Sequence, residues 1–148
     1  QLRPSLQGFA RAQELAGPAW APLRAKLLDR LRGTNERRAK VDIFLHEQLI
    51  DDAIQVIESG CDDTTLAQVA DAAIAARPSW VIAKTTAQAE RLMAAGDAQR
   101  YDQAVAWLRR ARDAFRADGR PIDWQGYLEG ARARYKRKHK LIGLLDKL

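Results

Sequence analysis

From Leu6 to beyond Tyr135, apolar residues recur every three or four positions, and glycine or proline falls between the runs. That spacing is the period of an α-helix, in which such positions share one face. The alternation of a half-buried strand is absent. Alanine, leucine, arginine, glutamate and glutamine dominate, and all are good helix formers. The chain is expected to be all-α.

The punctuation divides it into about seven to eight helices. Leu6 to Ala16 reads as the first, stopped by Gly17-Pro18, and Trp20 to Arg32 as the second, with Trp20, Leu23, Leu27 and Leu31 on one face. The third, about Glu36 to Glu47, buries Val41, Phe44 and Leu45; the fourth, about Ile50 to Ser59, turns Ala53, Ile54 and Ile57 inward. The fifth is capped by Asp63 or Thr64 and reaches about Ala76, with Leu66, Val69, Ala73 and Ile74 inside. Pro78 opens the sixth, which carries Trp80, Ala83, Ala87 and Leu92 to Gly96. The seventh runs from about Gln99 to Ala117. The eighth starts at Pro121 and carries Trp124, Tyr127, Leu128, Ala131 and Tyr135, weakening only near Gly143.

Short links between amphipathic helices leave two architectures, a compact bundle or a stack of helical hairpins, the α-solenoid. Gly96-Asp97, followed by Tyr101-Asp102-Gln103-Ala104 and then Ala111 and Phe115, resembles the second half of a tetratricopeptide repeat. Small residues there let two helix backbones approach closely, and aromatics fill the space beside them. Ile50-Asp51-Asp52-Ala53-Ile54 is a weaker echo that does not fit a regular repeat period. The expectation is a single divergent helical-repeat domain over residues 1–148.

Hydrophobic residues at 47% and charged residues at 30% exclude a disordered chain. No apolar run approaches the roughly 20 residues that cross a bilayer. One cysteine, Cys61, excludes an internal disulfide and any multi-cysteine zinc site, so a cytoplasmic setting is expected. The chain begins at Gln1 with no signal-peptide pattern and is expected to be the C-terminal part of a longer protein.

Charge is unevenly placed. Residues 1–40 hold nine Lys/Arg against three Asp/Glu, residues 41–76 hold eight acids and no Lys or Arg, and residues 99–148 hold thirteen bases against six acids. Solvated helix faces account for such a pattern, and so does an anionic partner at the C-terminal end.

Tyr101 to Phe115, Gly119-Arg120, Trp124, Tyr127-Leu128 and the run Arg132-Ala133-Arg134-Tyr135-Lys136-Arg137-Lys138 resemble the C-terminal end of bacterial SWIM-type zinc-finger proteins. The resemblance extends weakly back to about Leu15. It implies a helical region downstream of a Cys-x-Cys … Cys-x-His finger. That finger has no counterpart in a chain with one cysteine, so its zinc site maps onto no residue here.

Catalytic chemistry finds little to stand on. His46 and His139 are the only histidines, and a His46–Cys61 nucleophilic pair would sit beside Asp62-Asp63, which disfavour a thiolate. Asp51-Asp52 and Asp62-Asp63 lie near helix starts, where acids serve as caps rather than as metal ligands. There is no phosphate-binding glycine loop. No enzyme activity, cofactor or metal is expected.

The densest cationic run is Arg132, Arg134, Lys136, Arg137, Lys138 and Lys140. On a continuous helix these side chains spread round most of the circumference. Two functions follow as expectations: a scaffold for a protein or peptide partner, and a nucleic-acid-binding accessory gripping phosphate through that run.

Overall fold

The computed structural model describes residues 3–148, and among these every regular element is helical. The helices are α1 (Leu6–Ala16), α2 (Trp20–Arg32), α3 (Arg37–His46), α4 (Ile50–Ile57), α5 (Asp63–Ala73), α6 (Pro78–Ala94), α7 (Ala98–Ala117), α8 (Pro121–Arg134) and α9 (His139–Leu145), with a 3-10 turn at Gly17–Ala19. The chain divides into two compact units, one ending at Val69 and the other starting at Ala70, so the boundary falls inside α5.

In the first unit α1 packs on α2 and α3, and α3 on α4. Ser5 caps α1 by accepting a hydrogen bond from the Gly8 amide at 3.0 Å. Phe9, buried, meets Trp20 edge-on at 5.1 Å between ring centroids. With Phe9, the core of this unit is Leu28, Leu31, Val41, Ile43, Phe44, Ala53, Ile57 and Val69. Ile43 is buried and Leu45 only half-buried, so the inner face of α3 is rotated from the expected stripe. Asp62, one residue before the expected cap, closes the start of α5 by accepting from the Thr65 amide at 2.7 Å.

The second unit is built round α6 and α7, which make the most extensive contact of any two elements. Tyr101, Ala104, Val105, Trp107, Leu108, Ala111, Ala114 and Phe115 of α7 are buried. The expected Ala104–Ala111–Phe115 stripe therefore faces inward. The α6 residues do so only in part: Leu92 is buried and Trp80 half-buried, Ala83 and Ala87 are exposed, and Val81, Thr85, Ala89 and Met93 complete the buried face. Alanines on several faces of α6 hide its register. The Thr85 hydroxyl is satisfied inside the helix by donating to the Val81 carbonyl at 2.6 Å, so Thr85 is buried without an orphan polar group. Gly96, at φ +74, takes the left-handed turn after α6 that side chains disfavour, and Asp97 then caps α7 by accepting from the Gln99 amide at 3.0 Å.

The expected eighth helix is interrupted. α8 ends at Arg134, Tyr135 to Arg137 turn, and the chain resumes as α9. The break lets Leu141 and Leu145, both fully buried, pack back toward α7 and α8.

The charge pattern now has a physical reading in part. Acids of the 41–76 stretch take partners from the basic stretches: Arg24 with Glu47 at 2.8 Å, Arg32 with Asp52 at 3.3 Å, and Arg110 with Asp71 at 2.8 Å.

Candidate functional site

The six cations of the C-terminal run sit on the last turn of α8, the connecting turn and the first turn of α9, rather than round one helix. Three of them are engaged by the fold. Arg132 Nε lies 3.1 Å from Asp146 Oδ1, an ion pair that lacks hydrogen-bond alignment. Arg134 Nη2 donates to Glu90 Oε1. Lys138 Nζ donates to the Met93 carbonyl at 2.7 Å and lies 5.1 Å from the Tyr135 ring centre. A cation at this last-turn carbonyl of α6 also meets the negative end of the helix dipole.

Lys136, Arg137 and Lys140 have no ion pair or hydrogen bond through their side chains among the described residues, and all three are exposed. The run thus separates into cations that hold structure and cations that face outward.

Glu90 is the hub of the first group, and nothing in the sequence reading singled it out. It is the only acid of α6. Its Oε1 accepts from the Tyr127 hydroxyl at 2.8 Å and its Oε2 from the Tyr135 hydroxyl at 2.7 Å. Burial pushes the Glu90 carboxyl up, but the hydrogen bonds from Tyr135 and Tyr127 and the charge of Arg134 outweigh it, so the group lies below its ordinary value. Burial, and then the hydrogen bond to Glu90, push both tyrosine hydroxyls up, which keeps them protonated as donors. The Arg134 guanidinium lies 5.8 Å from the Tyr127 ring centre and 5.9 Å from that of Tyr135. The sequence held no signal for it: on a continuous helix Tyr127 and Tyr135 would point about 80° apart, and the turn after Arg134 brings both hydroxyls to one carboxylate.

The remaining candidates are dispersed. His46 stands against Phe9 and 3.9 Å from Glu47 Oε2. Cys61 opens onto a shallow cleft of about 180 Å³ with Arg37, Arg38 and Thr65. His46 does not line that cleft, so the pair is not assembled. The Asp62 carboxyl is held below its ordinary value by its hydrogen bonds from Thr65, as a cap requires. Asp52 is occupied by Arg32. Among the described residues no three or more His, Cys, Asp or Glu side chains gather into a set that could hold a metal ion, and no helix is long and apolar enough to cross a membrane.

Fold and site together define an all-α protein with a folded-back cationic C-terminus. No protein-family model, curated protein or solved structure matches the chain.

Proposed function

We propose that this chain is a non-enzymatic helical-repeat scaffold, built of tetratricopeptide-like, α-solenoid hairpins, that receives a protein or peptide partner as the C-terminal region of a cytoplasmic SWIM-type zinc-finger protein. The observation that carries the reading is the α6–α7 hairpin. A left-handed glycine and an aspartate cap make its turn, and Ala89, Ala104 and Ala111, all fully buried, line its inner faces. Hairpins of this kind present side-chain surfaces rather than reactive groups. Ile122, 83% exposed at the start of α8, is an apolar residue available for such a contact. The test is affinity capture from nuclease-treated lysate at moderate salt, with Ile122→Asp beside the wild type. A partner held by the wild type and lost by the variant is expected. Capture seen only in lysate without nuclease treatment opposes the reading.

One observation favours a second function, a nucleic-acid-binding accessory. Lys136, Arg137 and Lys140 are exposed and without internal partners, and such cations are open to phosphate. Duplex or single-stranded binding at low salt that weakens steeply as salt rises supports it, and undetectable binding at low salt retires it.

A further inference from the structure

A second group of cations lies in the first unit, where the sequence reading placed no site. A cleft of about 380 Å³ opens between the end of α2, the first turns of α3, and α4. Arg32, Arg37 and Lys40 line it, together with Gln55 and Ser59. Asp52 is the one acid in its wall, and Arg32 occupies it with two contacts, Nε to Oδ1 at 3.4 Å and Nη2 to Oδ2 at 3.3 Å.

Arg37 and Lys40 are different. Arg37 Nη1 donates to the Gly60 carbonyl at 3.0 Å, and Lys40 Nζ donates to the Arg32 carbonyl at 3.0 Å. Both acceptors are neutral, and no carboxylate is paired with either cation among the described residues. Two positive charges therefore line one concavity without a carboxylate of their own, and their fields add there. Both keep donors to spare, since a guanidinium carries five N–H groups and an ammonium three. Arg37 is the first residue of α3 and Lys40 the fourth, so the positive end of that helix adds to the same field.

We propose that this cleft binds a dianionic phosphoryl group through Arg37 and Lys40. A phosphate monoester carries about −1.5 to −2 charges at neutral pH, which matches the charge of these two cations. Arginine supplies a planar fork for two of the oxygens and lysine a point charge for the third. Free phosphate and a small phosphate ester share this chemistry. Buried Phe44 and half-buried Val56 give an ester an apolar wall that phosphate does not use.

The test is an amide NMR titration of the whole chain with inorganic phosphate and with phenyl phosphate, each against chloride at matched ionic strength. Saturable shifts at Arg37, Lys40 and Ser59 are expected with both phosphates and not with chloride. Tighter binding of phenyl phosphate identifies an ester as the ligand, and equal or tighter binding of inorganic phosphate identifies the free anion. Arg37→Gln with Lys40→Gln is expected to weaken binding at least about tenfold, a loss of about 1.4 kcal/mol. Lys40→Gln alone gives a smaller loss in the same direction should the double variant fail to fold. Lys136→Gln with Arg137→Gln, in the other basic group, is expected to change nothing. Equal shifts with chloride, or wild-type affinity in a folded Lys40→Gln variant, overturn the proposal.

Discussion

The Tyr135 hydroxyl donates to Glu90 Oε2 at 2.7 Å and ties the turn after α8 to α6, 45 residues upstream. Tyr127 and Arg134 converge on the same carboxylate. Glu90→Ala leaves two tyrosine hydroxyls and a guanidinium without their acceptor. The expected cost is about 1–3 kcal/mol, read from urea denaturation at neutral pH.

The same carboxylate sets an acid limb to stability. Its folded pKa lies below the ordinary 4.5, so the folded state favours the charged form. The resulting stabilisation is complete above 4.5 and is lost as pH falls through the lower folded value. Tyr127, Arg134 and Tyr135 face the group and do not titrate in that range. The stability gap between wild type and Glu90→Gln is expected to narrow as pH drops from neutral into that window. A gap that stays constant over the range contradicts the role given to the charge.

Ala104 has no exposed surface at the interior of α7. Ala104→Trp is expected to destabilise the fold by about 1–3 kcal/mol or more, because overpacking forces backbone shifts. A melting temperature equal to wild type would show that α7 is packed in another register.

One cysteine and two histidines supply too few nitrogen and sulfur ligands for a tight zinc site. Dialysis against a chelator is expected to leave no stoichiometric zinc. Metal retained one-to-one by atomic absorption would contradict this.

What the sequence disclosed and what it hid have the same cause. Helix bounds follow from local chemistry: Gly17-Pro18, Gly60, Pro78, Gly96 and Pro121 all stand at helix boundaries. The inner face of α7 is legible because its aromatics and leucine mark one stripe. The face of α6 is not, because alanine occupies both the buried position 89 and the exposed positions 83 and 87. The break at Tyr135 is invisible for a stronger reason. Arg134, Lys136, Arg137 and Lys138 are good helix formers with no glycine or proline among them. The acceptors at the break, Glu90 and the Met93 carbonyl, lie far upstream in the chain. Tertiary contacts therefore overrode local propensity, and they also divided the basic run into structural and outward-facing cations.

That division is most directly tested by the salt dependence of duplex DNA binding. The comparison uses wild type, the triple Lys136→Gln, Arg137→Gln, Lys140→Gln, and the double Arg134→Gln, Lys138→Gln, at a temperature where all three are folded. Each phosphate neutralised contributes about 0.9 to the slope of log affinity against log salt, so the triple replacement removes up to about 2.7. The double replacement is expected to lower the melting temperature and leave the slope as it was. A double variant that keeps wild-type stability and loses as much slope as the triple would contradict the division, because Arg134 and Lys138 would then be meeting phosphate rather than Glu90 and the end of α6.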